Sequence, residues 1–384
     1  MERTIFSAAD APKTLLQVLC ALAEIITKDD EARLGFQISA FNNEIRALID
    51  RSADDRLTLY SRKEIERSLP LLLSLTGGAV ERVNPQYNDP LLADTRTQDK
   101  IPIFAYGRDR AVTLPRSFLA AATCELLFEH AWSTLGKRAG DVIGITLERA
   151  IASACQGKSA IVLANKEYYV DGRRYEFDIA TRNEDRTTLI ETKGKTLTRR
   201  SRSGNMFAFF EDYSESYLRS LTQLIQHEIH VRKGKTPLTS PEEIADDIRP
   251  TKVVVSPLSF GPISDKMLSN GVIRALAGAK FVLMEPDTEN QRIVDKLNRR
   301  GDVIIRNILR LPPMKDGEVD LFRYLLDVFW LDVGQVLYVL DRAYEVWDAF
   351  SPLRHITFSS RDFWTELAHA DRGGLTAGRW RTAT

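Results

Sequence analysis

Apolar positions along this chain recur with two different periods, and the change between them divides the sequence. From Pro12 the segment KTLLQVLCALAEIITK repeats its apolar residues at helical spacing up to Asp29-Asp30, which predicts a first helix. Further helices are expected around FNNEIRALIDR and from Arg62 to the leucine-rich residues 69–75, stopping at Gly77-Gly78, with a short strand RLTLY between them. The leucine patch reads as core. Residues 82–102, RVNPQYNDPLLADTRTQDKIP, are rich in turn formers and read as a linker or long loop. Pro115 then opens a helical stretch that closes near Gly136, and another helix is expected over 139–156.

After that helix the period becomes alternating. Residues 160–170, AIVLANKEYYV, and 175–182, YEFDIATR, predict two strands joined by Asp171-Gly172, a dipeptide suited to a tight hairpin turn. Beyond Asn183-Glu184-Asp185, RTTLIETKG predicts a third strand and completes a meander. A basic loop, KGKTLTRRSRSGN, leads to a helix carrying Tyr217, Leu218, Leu221, Leu224, Ile225 and Ile229, and then to an apolar strand KVVVS at 252–256. Residues 265–310 continue the alternation: a helix over 267–277, a strand KFVLM, a helix over 291–299 and a strand DVIIRNI. From Asp320 onward the chain reads as helical and aromatic, with Phe322, Tyr324, Phe329, Trp330, Tyr338, Tyr344 and Trp347, and the tail RGGLTAGRWRTAT is expected to be poorly ordered. The fold class is therefore α/β in three parts: a mostly helical region at 1–100, an α/β core with the helices leading into it at 101–312, and a helical region at 313–384.

Composition narrows the function classes. Lys plus Arg and Asp plus Glu number 53 each, so no global field draws the chain to a polyanion, and any nucleic-acid binding has to be local. The three cysteines, Cys20, Cys124 and Cys155, form no CxxC pair and read as reduced thiols. No apolar run reaches the roughly 18 residues of a membrane span, and MERTIFSAADAPK lacks the basic-then-apolar layout of a signal peptide. The expected location is cytoplasmic, with no membrane partner.

The candidate chemistry lies in the meander. Asp178 stands in an apolar strand; Glu191 follows thirteen positions later, and Glu191 and Lys193, two residues apart in a strand, project from one face. Two carboxylates on paired strands supply the hard oxygen ligands that hold Mg²⁺ or Mn²⁺ in phosphodiester hydrolysis, and an adjacent lysine orients water or stabilises charge on the phosphorane. Upstream, Glu148 sits among Ile145, Leu147 and Ile151 on the preceding helix. It reads either as a third acidic ligand or water-positioning residue, or as part of a solvated helix face. The bland alternative for Asp178, Glu191 and Lys193 is an exposed cross-strand ion pair. Against it, Phe177 and Ile179 on one face and Leu189 on the other suggest that both faces are covered, where charges are costly without a role. Lys195, Arg199, Arg200 and Arg202 concentrate positive charge just beyond Lys193, as phosphate-backbone binding requires, although charge runs also form plain solvated loops. Phe207, Phe209, Phe210 and Tyr213 could stack bases or anchor the next helix.

Glu148 on a helix, Asp178 on the second strand, Glu191-Thr192-Lys193 on the third, and a helix then a strand after it resemble the PD-(D/E)xK, or restriction-endonuclease-like, nuclease superfamily. The resemblance covers roughly residues 139–256. It implies a core of helix, three-strand meander, helix and strand, with cleavage of DNA dependent on Mg²⁺ or Mn²⁺. Asp178 and Glu191 would be metal ligands with help from Glu148, and Lys193 the catalytic lysine. Phe177 stands where many members carry a proline. Some members of the RecB-like branch carry a glutamine on the helix after the third strand; Gln223 and Gln226 occupy that helix here, and Gln223 is the preferred candidate. The resemblance suits an endonuclease in bacterial defence against foreign DNA, with the flanking regions selecting substrate or mediating homo-oligomer or partner-protein contacts. A non-catalytic nucleic-acid-binding or assembly module on the same fold, and an RNA-directed or repair nuclease, are the alternatives.

Two further motifs fail on context. ASACQGKS at 152–159 matches a relaxed phosphate loop, but it ends a helix and enters a strand, the reverse of what phosphate binding needs. His227-Glu228-Ile229-His230 spaces its histidines three apart instead of the four of a zinc helix, and reads as a polar helix face.

Overall fold

The computed structural model describes residues 11–53, 56–76, 101–184, 186–202, 204–239, 250–258, 260–285, 287–311, 320–355 and 363–381. Its contacts divide the chain into two compact units, one closing at Ala150 and the other opening at Ile151. The division thus falls within a helix, Lys137–Cys155.

The first unit contains α1 (Ala11–Ile25), α2 (Lys28–Leu34), α3 (Ile38–Arg51), β1 (Thr58–Ser61), α4 (Arg62–Ser68), α5 (Pro70–Leu75), β2 (Ile103–Tyr106), β3 (Arg110–Thr113), α6 (Arg116–Leu135) and α7 (Lys137–Cys155), the last crossing the division. Asp29-Asp30 does not close the first helix. Thr27 and Asp30 form a capping box that starts α2: Thr27 Oγ1 accepts from the Asp30 amide left open at the helix N-terminus, and the Asp30 carboxylate accepts from the Thr27 amide. The helix expected from Arg62 is broken at Leu69, where Pro70 begins α5, and Glu44 of α3 accepts from the amides of Leu71 and Leu72. β1, β3 and β2 form a three-stranded antiparallel sheet, in that order, of which the sequence reading recognised only β1. Most of the expected linker, its residues 82–100, lies outside the described residues.

The second unit is built on a five-stranded sheet of order β4-β5-β6-β7-β8, from β4 (Ile161–Val170), β5 (Arg173–Asn183), β6 (Arg186–Thr192), β7 (Thr251–Ser256) and β8 (Val328–Asp332). The first three strands form the expected antiparallel meander, and Asp171 and Gly172 both take positive φ in the hairpin turn, as a primed turn requires. β6, β7 and β8 run parallel, so each pair needs a crossover. The first crossover contains α8 (Arg199–Arg202), α9 (Met206–Tyr213), a π-helical turn (Ser214–Leu218) and α10 (Arg219–Arg232). The second contains α11 (Lys266–Gly278), α12 (Thr288–Ile308) and α13 (Leu321–Leu325). α14 (Val333–Arg342), α15 (Val346–Phe350) and α16 (Phe363–Arg372) follow β8. Among the described residues no helix is long and apolar enough to cross a membrane.

Four local expectations in this unit are corrected. KFVLM forms no strand, because both backbone groups of Phe281 are satisfied by the side-chain amide of Asn298, at 3.0 and 2.8 Å. DVIIRNI belongs to α12: Ile293, Val294, Leu297, Gly301, Ile304 and Ile308 make one buried helical stripe, and Asp287 caps its start. Val328 to Asp332, read as helical, is the fifth strand, buried along its whole length. The described part of the tail, through Arg381, is docked: Trp380 is buried and donates to Asp348 O at 2.8 Å, and the amide of Arg381 donates to Arg342 O.

Candidate active site

Asp178 sits where the pairing of β5 lapses on both sides. On the β4 side the register passes from Ala164↔Ile179 to Lys166↔Phe177 and skips Asn165, whose φ of +49° is left-handed, opposite Asp178. On the β6 side the ladder ends at Ile179↔Ile190, and the amide of Thr192 donates instead to Asp178 Oδ2 at 2.8 Å. The alternation of β5 slips at the same place. Phe177 and Ala180, three residues apart, both join the core cluster that α10 packs on, while the buried Ile179 does not, so Phe177 and Ile179 do not share a face as expected. β6 itself continues straight, the amide of Lys193 donating to Val255 O of β7.

The two carboxylates and the lysine meet at this lapse. Lys193 Nζ lies 2.6 Å from Glu191 Oε1, with the Glu191 side chain 1% exposed and that of Lys193 21% exposed. The Asp178 carboxyl neighbours the Glu191 side chain; burial raises it above the ordinary range, opposed first by the Lys193 ammonium and then by the Thr192 donors. Asp178, Glu191 and Lys193 are thus brought together. Glu148 lies on α7, half-buried, in the first unit.

α10 carries the two candidate glutamines and a histidine, expected on a polar helix face, that is buried instead. Gln223 keeps its Oε1 shielded from solvent with no hydrogen-bond partner among the described residues, whereas Gln226 is committed, its Nε2 lying 2.7 Å from His230 Nε2. His227, one turn beyond Gln223, is buried; its Nδ1 lies 2.6 Å from Tyr168 OH, and its Nε2 has no partner among the described residues. Burial, then the charges of His230 and Lys193, push the His227 pKa down to about 3, so its ring is neutral. Tyr168 is pushed well up by burial, with Tyr175 and Glu191 adding to the shift. Tyr168 and His227 are 59 residues apart, and no local pattern pairs them.

The basic loop beyond Lys193 folds onto a buried aspartate. Lys195 Nζ pairs with Asp212 Oδ1 at 2.9 Å, and Thr198 and Ser201 donate to Asp212 Oδ2. Arg200 is exposed; the side chains of Arg199 and Arg202 lie outside the described residues. Tyr213 is fully buried against Tyr217 and Trp330, and Phe209 and Phe210 pack on the same cluster, as helix anchors do.

The rejected motifs have structural explanations. Lys158 of ASACQGKS donates to carbonyls of Leu340, Asp341 and Ala343 at the end of α14. His227-Glu228-Ile229-His230 is not a solvated face, since both histidines and Glu228 are buried. Glu228 pairs with Lys252 and Arg232, each at 2.8 Å, and accepts from Tyr324 OH at 2.7 Å. Burial alone would raise Glu228, but the two cations hold it below the ordinary carboxylate range.

The second unit is therefore a mixed α/β structure whose sheet carries a carboxylate pair with one lysine. No protein-family model matches the chain, and no curated protein or solved structure does. Among the described residues no group of three or more His, Cys, Asp or Glu side chains is placed to hold a metal ion. The Asp178–Glu191 pair nonetheless fits Mg²⁺ or Mn²⁺ chemically: its donors are hard oxygens, and Mg²⁺ commonly takes one or two carboxylates and fills its shell with water and substrate phosphate.

Proposed function

We propose that the second unit is a divalent-metal-dependent endonuclease with a restriction-endonuclease-like core, hydrolysing phosphodiester bonds of DNA. The observation that carries this reading is the meeting of Asp178, Glu191 and Lys193 where β5 loses its pairing. The order of meander, α10 and parallel β7 supports the fold side of it. Mg²⁺ or Mn²⁺ held by Asp178 and Glu191 would neutralise phosphate charge and acidify a bound water. Thr192 fixes the Asp178 carboxylate through its amide and hydroxyl, at 2.8 and 3.3 Å, so its orientation is set in advance. Lys193 keeps a route to solvent beside Glu191 and can turn its ammonium to a phosphate oxygen. Gln223 is assigned as a positioning residue, its shielded Oε1 being an acceptor for a water proton. Defence against foreign DNA is the setting that suits such an activity.

The test is cleavage of circular duplex DNA in Mg²⁺, in Mn²⁺ and in EDTA. Cutting is expected with either metal, lost in EDTA, and reduced about a hundredfold or more by Asp178→Ala, Glu191→Ala or Lys193→Ala. Undiminished cutting by Lys193→Ala would refute the assignment. Salt-sensitive DNA binding with no turnover in either metal would instead mark a non-catalytic module. A panel of single-stranded, nicked, branched and RNA substrates separates the DNA reading from an RNA-directed or repair nuclease.

A further inference from the structure

A cleft of about 380 Å³ opens beside the Asp171-Gly172 turn of the β4–β5 hairpin. Its cations come from three places in the fold: Arg173 from the start of β5, Lys233 and Lys235 from the end of α10, and Arg310 just past α12. One carboxylate lines it, Asp171, and Lys235 takes that at 2.9 Å. Arg173 and Arg310 form no ion pair among the described residues, and Lys233 acts only at longer range on Asp171, which Lys235 already holds. Like charges so gathered repel one another, and an anion between them relieves the repulsion.

The rest of the wall is compatible with an anion. The last carbonyls of a helix repel negative charge when open; here the amides of Lys233 and Lys235 donate to His230 O and that of Gly234 to Val231 O. Tyr175, Gln226 and His230 also line the cleft, and the His230 ring stands edge-on to Tyr175 with centroids 4.4 Å apart. With the Gln226 amide donating to His230 Nε2, the His230 Nδ1 proton goes to Tyr168 O and the Tyr168 proton to His227 Nδ1. His230 is thus neutral with both ring nitrogens engaged, which leaves recognition to the cations of the cleft.

Guanidinium forks match phosphate oxygens two at a time, and lysine adds an adaptable point charge. We propose that this cleft binds a phosphate monoester, gripped by Arg173 and Arg310 with Lys233 adding charge. The cleft shares no lining residue with Asp178, Glu191 and Lys193, and the proposal does not rest on the nuclease reading. The phosphate is borne either by the 5′ end of a nucleic acid or by a free nucleotide.

Titration calorimetry on the full chain in EDTA tests this, with inorganic phosphate, AMP, and one oligonucleotide in 5′-phosphorylated and 5′-hydroxyl forms. Saturable phosphate binding is expected, weakened at least tenfold, about 1.4 kcal/mol, by Arg173→Glu combined with Lys233→Glu. Arg310→Gln, on a separate element, should weaken it in the same direction, and far-UV dichroism checks that each variant is folded. A preference for the 5′-phosphorylated oligonucleotide assigns the site to nucleic-acid ends. Tighter binding of AMP than of inorganic phosphate, with the two oligonucleotides alike, assigns it to a free nucleotide. Asp178→Asn should bind as the parent does, even if it abolishes cleavage. No saturable binding up to about 10 mM, or binding untouched by the paired charge reversal, overturns the proposal; loss of binding in Asp178→Asn overturns the separation of the two sites.

Discussion

Two glutamate–lysine pairs lie along the same sheet, and they are built to opposite ends. Glu228 and Lys252, at 2.8 Å, are 0% and 1% exposed; Arg232 and Tyr324 complete the shell of the carboxylate, so one negative group faces two cations and a hydroxyl. Glu191 and Lys193, at 2.6 Å, lie where the ladder has opened; the lysine is 21% exposed, and a second carboxylate, Asp178, shares it. Burial raises both carboxyls; the two cations beside Glu228 overcome it and hold that group low, whereas the one ammonium beside Asp178 does not, and Asp178 stays raised. A buried carboxylate with surplus cations is a structural tie. Two carboxylates sharing one ammonium are a place where a further cation is welcome.

The largest effect is expected at the closed pair. Glu228→Ala should destabilise the protein by about 3–5 kcal/mol, read by chemical denaturation, because it strands Lys252 and Arg232 in the interior. A loss below 1 kcal/mol would mean that the network is no tie at all.

Acid should act first on the side of the open pair. His227 protonates near pH 6.5 in the unfolded chain and only near 3 in the fold, so between those values the unfolded chain binds more protons and stability falls as pH falls. About 2–3 kcal/mol should disappear between pH 7 and 4.5, and His227→Gln should flatten that slope. Glu228, held below its ordinary value, keeps its contribution until pH drops beneath the unfolded carboxylate range. A slope unaltered by His227→Gln would remove His227 from the account.

Outside both pairs, Gly301→Ala serves as a packing control, since its Cβ would stand 2.9 Å from Leu276 Cβ where α12 crosses α11. It should cost about 1–3 kcal/mol with no change in the acid slope. The smallest effect has the opposite sign. Asp178→Asn removes the surplus charge and keeps an acceptor for the Thr192 amide, so it should stabilise the protein in EDTA by about 0.5–2 kcal/mol while abolishing metal-dependent cutting. A destabilisation of that size would place Asp178 with the structural ties.

How much of this was legible in the sequence depended on how local each signal is. The meander could be read because period-two alternation and an Asp-Gly turn are encoded over a few residues, and Glu191 and Lys193 could be placed together because i and i+2 share a strand face. The slip at Asp178 was hidden: Asn165, thirteen residues earlier, causes the skipped pairing, and nothing in YEFDIATR announces it. DVIIRNI and Val328 to Asp332 were misread in opposite directions, since a short apolar run suits a buried strand or a buried helix equally. His227-Glu228-Ile229-His230 looked like a surface, and became interior because Lys252 and Tyr324, from two distant segments, arrive to satisfy it.

By itself, then, the chain determined the alternating core, the turn that folds it, and the spacing that sets Glu191 beside Lys193, because short-range backbone geometry dictates these. Tertiary structure alone decided which carboxylate is saturated and which is left sharing, which polar groups of α10 face inward, and that four scattered cations line one cleft. Those outcomes are set by burial and charge balance among residues far apart in sequence, and no local pattern carries that information.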